Sequence, residues 1–394
     1  MRVLNVRIKN WRNFRAAEFE CDTDVIYIIG PNAAGKSNLL DVFRFLRDVA
    51  RPRGGGLQEA IESRGGISKI RCLHARKDTE VLIEIEFLDE ETEVKWRYKL
   101  GFNLPSSGFS NRFPVVTREG VQTLEGGKWR TRLNRPNAND ESDPALLNQT
   151  FIEQVSANKD FRVIADYFSD ISYVHLVPQL LKFGDQIGGR TIDADPFGQE
   201  FMNRIAATRE NTRAARLRRI EGVLQQIVPN LEDLRFLKDQ ITGKPHLEIR
   251  FIHHRPHGAR QQEEQFSDGT LRLISILWLL QENGGSPMLL EEPELSLNEG
   301  VVRQIPRMID VLTHKMRKSS SRQIFITTHS YALLSNPGID ASGILLIEPS
   351  ADGSNIRNVS ASESLALNAG LSAAEVLLPY VQKLGLSGNL VEGL

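Results

Sequence analysis

Two glycines, a lysine and a serine stand together in GPNAAGKS, residues 30–37. Gly30 and Gly35 allow backbone angles that a side chain would forbid. The N–H groups of such a loop can converge on phosphate oxygens beside a helix N-terminus, where negative charge is favoured. Lys36 would then reach the β- and γ-phosphates of a nucleotide, and the Ser37 hydroxyl would hold Mg²⁺. An ordinary strand-to-helix turn is the bland alternative.

Binding phosphate is not hydrolysing it, and the missing chemistry stands in MLLEEPELSLN, residues 288–298. Met288, Leu289 and Leu290 read as a buried strand with two carboxylates at its C-terminal end. Adjacent strand residues point to opposite faces, so the pair can divide labour. Glu291 would hold Mg²⁺, and Glu292 would accept a proton from the water that attacks the γ-phosphate. A solvated acidic turn is the alternative. In FSDGTLRL (266–273), Ser267 reads as an N-cap, followed by Asp268 and by Gly269 in the first turn. That helix start is either a second anion site or a capped core helix. His329 ends FITTHS, where its imidazole either meets the γ-phosphate and its water or is structural.

Each of these residues needs an element to carry it. Val25–Ile29 reads as a strand buried on both faces. Leu39, Leu40, Phe43 and Leu46 come after the loop at helical spacing. Residues 322–330 and the run GILLIEPS (343–350) read as further strands. Strands alternating with helices at both ends of the chain predict an α/β core. Between them, VLIEIEF with EVKWRYKLGF predicts one hairpin, and PVVT with VQTL a second around Glu119-Gly120. Residues 134–144 read as an exposed polar loop. From about 145 to 228 the pattern is helical, with Leu217, Ile220, Leu224 and Ile227 on one face and Pro229 closing that helix. The expected organisation is one domain, 1–394. Residues 1–80 and 240–350 form its core, 81–135 an antiparallel β arm, 145–232 a helical insertion and 351–394 a C-terminal segment.

Composition sets the bounds. The chain has 394 residues, is 40% hydrophobic and 25% charged, and carries a net charge of −1. That balance suits a soluble globular protein with no global field drawing it to nucleic acid. Cys21 and Cys72 suit a reducing, cytoplasmic compartment better than a disulfide scaffold. No apolar run is long enough to span a membrane.

Taken in order, GPNAAGKSN, FSDGT, LLEEPE and TTHS resemble the ABC-type ATPase head of the SMC/RecF/OLD class. The likeness is greatest to stand-alone bacterial AAA family ATPases without the coiled coil. It implies a P-loop NTPase head with a mixed β core. Gly30, Pro31, Asn32, Ala33, Ala34, Gly35, Lys36, Ser37 and Asn38 would form the nucleotide-binding stretch. Residues 288–292 would be Walker B, with Glu291 where an aspartate is usual. Ser267, Asp268 and Gly269 would be the signature acting on a second protomer, and His329 the switch histidine. Arg12 and Asn13, in IKNWRNFR, are candidates beside the nucleotide base or form a simple turn. ATP and Mg²⁺ are the expected cofactors.

Two further constellations stand apart. Arg204, Arg209, Arg213, Arg216, Arg218 and Arg219 cluster, with Arg209, Arg213 and Arg216 on one helix face. This could track a nucleic-acid backbone, bind an acidic partner or merely be solvated. His253, His254 and His257 lack zinc spacing. Three functions compete: a defence ATPase that forms an ATP-sandwiched homodimer and restrains a separate effector such as a TOPRIM-like nuclease, a RecF-like DNA-repair ATPase, and a transporter ATPase.

Overall fold

β3 (Val25–Ile29) lies in the middle of a six-stranded sheet, and its alternation feeds two cores. Ile26 and Ile28 enter one, Tyr27 and Ile29 the other. The computed structural model describes residues 1–105, 113–187, 194–228, 230–252, 259–282, 284–316 and 322–385. Its strands are β1 (Arg2–Trp11), β2 (Phe14–Glu20), β3, β4 (Val81–Asp89), β5 (Val94–Asn103), β6 (Val115–Glu125), β7 (Lys128–Arg135) and β8 (Ser172–Val174). They continue with β9 (Leu231–Lys238), β10 (Pro245–Phe251), β11 (Ala259–Gln262), β12 (Met288–Glu291), β13 (Ile324–Thr328), β14 (Ile344–Ser350) and β15 (Gly353–Asn358).

The central sheet runs β15-β14-β3-β13-β12-β8. All neighbours are parallel except β14 and β15. Register aligns the strand ends: Thr328 faces Ile29, and Glu291 faces Thr327. The segments leaving β3, β12 and β13 therefore emerge along one edge, where open α/β sheets place their ligands. A second sheet, β2-β1-β4-β5-β6-β7, is antiparallel throughout. The strands of residues 81–135 thus extend the sheet that β1 and β2 begin. A three-stranded sheet, β11-β10-β9, stands apart.

The helix Lys36–Ala50 is clamped between the two large sheets. Its Phe43 meets Phe325 of β13 at 4.7 Å, and its Phe45 stacks on Phe102 of β5 at 5.2 Å. Each such buried phenyl contributes roughly 1.5–3 kcal/mol. The helix Asp268–Leu279 packs on the opposite face through Leu271, Leu273, Ile274 and Leu277. Gln323 fastens β13 to the N-terminus. Its amide donates to the Val3, Cys21 and Thr23 carbonyls and accepts from Val3 N–H at 3.0 Å. Among the described residues, no helix is long and apolar enough to cross a membrane.

Three expectations are corrected. Glu119-Gly120 is not a turn: β6 runs straight through it and pairs with β7 around Gly126-Gly127. The buried Glu119 carboxylate is accommodated because Arg135 Nη1 and the Phe151 and Ile152 N–H groups all donate to it. Residues 134–144 are not uniformly exposed either. The Arg135 and Asp140 side chains are wholly buried and paired at 2.7 Å, and Ala138–Ser142 forms a capped helix. The segment 145–232 is not helical throughout, because it supplies β8 to the central sheet. Pro229, His253, His254, His257, Arg317 and Lys318 lie outside the described residues.

Candidate active site

The loop after β3 takes its shape from several contacts. Gly35 has φ 110°, and Ala33 has φ 62°. Gly30 is pressed on β14, where a Cβ would lie 2.9 Å from the Ile347 carbonyl. The Ala34 carbonyl accepts from Asn13 Nδ2 at 2.6 Å and from Ser354 Oγ at 2.7 Å. Asn38 donates in turn to Asn13 Oδ1 at 2.8 Å. Pro31 is half-buried, while Asn32, Ala33 and Ser37 are exposed at the lip.

Lys36 folds back under the loop, donating to the Gly30 and Pro31 carbonyls at 2.9 and 3.1 Å. Burial pulls its pKa below the usual lysine value, while Glu292, Glu294 and Glu291 pull the other way. The Ser37 hydroxyl donates to Glu291 Oε1, and the Tyr173 hydroxyl to Glu291 Oε2. Burial first, and then the bond to Glu291, push the Tyr173 phenol up, so it stays a donor. Arg44 lies 4.1 Å over the Tyr173 ring. A hydroxyl and a carboxylate oxygen in contact form the hard-oxygen set that suits Mg²⁺, and the extra methylene of Glu291 does not stop it meeting Ser37.

Glu292 begins the turn after β12 in a left-handed conformation, φ 44°. Its N–H donates to the Thr327 carbonyl at 3.1 Å, and its Oε1 lies 3.3 Å from His329 Nδ1. Glu292 and His329 thus meet across adjacent strand ends, beside the loop carrying Lys36 and Ser37. Glu294 is buried next to them, its carboxylate taking the Thr328 hydroxyl at 2.6 Å. Burial raises its pKa, against the bond from Thr328.

The other expected residues have separate places. Ser267 caps the helix Asp268–Leu279, its Oγ accepting from Thr270 N–H at 3.1 Å, and it is exposed. Asp268 pairs with Lys182 at 2.7 Å. Gly269 is packed within the chain, since a Cβ there would lie 2.5 Å from the Ser296 carbonyl. Arg12 grips Asp41 of the loop's own helix at 2.6 Å, and Asn13 grips the loop, so both act as posts beneath it. Tyr173, Glu294 and Ser354 belong to the site without having been expected there. Glu294 had a signal, as the third carboxylate of EEPE; Tyr173 and Ser354 had none, because their partners are remote in the chain.

Known proteins share features with this chain at three levels. A family profile described as "AAA domain, putative AbiEii toxin, Type IV TA system" matches residues 25–335. The chain is 43% identical over 61 residues to the DNA replication and repair protein RecF of Chlamydia caviae, covering 16% of this chain and 17% of that protein. It is 28% identical over 92 residues to RecF of Roseiflexus castenholzii, covering 22% and 23%. The aligned part is therefore less than a quarter of either curated relative. An SMC head solved with the C-winged helix domain of ScpA superposes with a TM-score of 0.54 at 16% identity, covering 92% of this chain and 100% of that one, which is a likeness of fold.

Proposed function

Starting from a chain that belongs to the AAA-domain family matched over residues 25–335, we propose that ATP hydrolysis here drives a dimer-forming switch. The chain is an ATPase of the SMC/RecF class. The observation that carries the residue roles is the alignment of three strand ends, which sets the loop after β3 beside Glu292 and His329. In this reading Lys36 leaves the Gly30 and Pro31 carbonyls for the β- and γ-phosphate oxygens. Its buried charge moves from neutral dipoles to anions, a stronger bond. Glu292 accepts the proton of the attacking water, and His329 steadies that carboxylate and the water. Ser37 and Glu291 would hold Mg²⁺, which supplies charge neutralisation at the β,γ-bridge when bound. Tyr173 keeps Glu291 turned toward Ser37.

A second protomer covers the γ-phosphate with its exposed Ser267 helix start, an anion-favouring terminus. Hydrolysis then releases the pair. The switch acts on a separate effector protein in anti-phage defence, a reading supported by the toxin–antitoxin system in the family's description. The identity to RecF supports a second reading, direct binding of DNA in repair. Salt-dependent binding to short duplexes separates them.

Glu292→Gln tests the core of the proposal. ATP binding is expected to survive, with turnover falling at least ~100-fold, the scale of lost proton acceptance. Native turnover would remove Glu292 from the role.

A further inference from the structure

The helix Asp268–Leu279 carries a charge where a core helix should carry none. Arg272 is only 3% exposed. One of its nitrogens, Nη2, donates to the backbone carbonyl of Glu292 at 2.8 Å. Its Nε is buried as well and meets no hydrogen-bond acceptor among the described residues. A buried guanidinium is costly unless something compensates it. The bond it does make goes to the peptide of the proposed proton acceptor.

The Glu292 backbone is held on both sides of its Cα. Thr327 of β13 receives its N–H side, and Arg272 holds the carbonyl of the same residue. The clamp bears on backbone that resists it, since left-handed angles at a non-glycine residue persist only where surroundings enforce them. One turn earlier, Gly269 lies against the Ser296 carbonyl, and Ser296 is also left-handed, φ 64°. The helix that begins at Ser267 is therefore seated on the segment 292–296 at two points, one by close packing and one by a charge-assisted bond.

We infer that Arg272 is a positioning residue: it holds the Glu292 carboxylate in place and transmits movement of the Ser267 helix start to it. The inference rests on the proposed role of Glu292. Contact at the exposed end of a rigid helix displaces Arg272, and the Glu292 backbone moves with it because its carbonyl has this cation as partner. Occupation of the helix start thus sets the rate of hydrolysis within the same chain.

The test uses the full chain, with steady-state hydrolysis, binding of a fluorescent ATP analogue and thermal unfolding measured together. Arg272→Met keeps length and removes the donor. Its kcat is expected to fall at least about tenfold, with KM and analogue affinity within about threefold, the signature of a contact that matters in the transition state. Arg272→Lys keeps a buried cation but falls one atom short of the carbonyl, so it reports even if the Met variant does not fold. Its kcat is expected to fall by about threefold or more, again with KM held. In the Glu292→Gln background either substitution leaves the residual rate within about twofold, because groups acting through one another are not additive. Native kcat in the folded Arg272 variants, or full multiplication of the two losses, overturns the inference. A native rate for Glu292→Gln alone overturns the base assignment beneath it; the two failures are told apart because the Arg272 arms are also run in the native background.

Discussion

A methyl group at Gly35 would stand 2.2 Å from the Asn13 amide nitrogen, and the backbone there has φ 110°. Gly66 offers the comparison, with φ 89° and nothing within 4 Å of an added Cβ. Both alanine variants carry backbone strain of about 1–3 kcal/mol. Only Gly35→Ala must also evict the residue that holds the Ala34 carbonyl. Gly66→Ala is expected to lower the unfolding temperature with ATP affinity unchanged. Gly35→Ala is expected to lower both, with affinity falling at least about tenfold, or roughly 1.4 kcal/mol. Isothermal titration and a melting curve on each variant decide it; equal affinities would mean that Asn13 does not shape the loop. At this scale the sequence was most legible where chemistry is local. Glu291, Glu292 and His329 sit at or just past strand ends, and Lys36 and Ser37 open the helix after β3, all beside apolar runs that are plain to read. Tyr173 and Ser354 could not be found that way, because each acts on a partner that only the fold brings near; Asn13 was a candidate from the sequence, but its bonds to Ala34 and Asn38 are visible only in the fold.

The helix Glu210–Leu224 shows what an element does to a motif. Its arginines read as one charged stripe, but the fold divides them. Arg213 lies 4.0 Å over the Phe236 ring and donates to the Ala206 and Thr208 carbonyls, and Arg216 lies 5.2 Å from the Trp278 ring. Burial lowers the Arg216 pKa, with Glu282 opposing it. Arg209 and Arg218 are exposed. Two arginines therefore pack the helix onto β9 and the helix Asp268–Leu279, with stems that cover apolar surface. Arg213→Glu and Arg216→Glu are each expected to destabilise the protein by about 1–3 kcal/mol, since a cation–ring contact is lost and a carboxylate is part-buried. Arg209→Glu and Arg218→Glu are expected to stay within about 0.5 kcal/mol. Urea unfolding measures all four, and equal losses at both pairs would contradict the division. The straight run of β6 through Glu119-Gly120 teaches the same point. A glutamate and a glycine together signal a turn only while their neighbours are unknown, and Arg135 arrives later in the chain to neutralise that carboxylate.

For the whole molecule, the proposed assembly depends on a face that one chain leaves open. Ser267 is exposed, as are Leu295 and Tyr331 near the carboxylates, at 37% and 56%. With Glu292→Gln to hold ATP, the chain is expected to double its mass on adding ATP and Mg²⁺. Ser267→Arg in that background is expected to remain single while still binding ATP. The arginine also removes a cap worth about 1 kcal/mol, so Ser267→Asp is the control, because it keeps a cap and sets a negative charge against the phosphate. Both should fail to associate. Light scattering with and without ATP reads the outcome, and equal masses for all three under ATP would end the sandwich arrangement.

The two grips on the Ala34 carbonyl also set a clock. Asn13 precedes Ala34, whereas Ser354 comes 320 residues after it. At a synthesis rate of roughly 5–20 residues per second, those 320 residues take tens of seconds to leave the ribosome. Throughout that interval the nascent polypeptide exposes the glycines, the lysine and the serine with one of their two supports absent. β13 and β14, which flank β3, are missing for most of it as well. A growing chain thus lacks the second support of this loop, and the strands on both sides of β3, until its last tens of residues emerge.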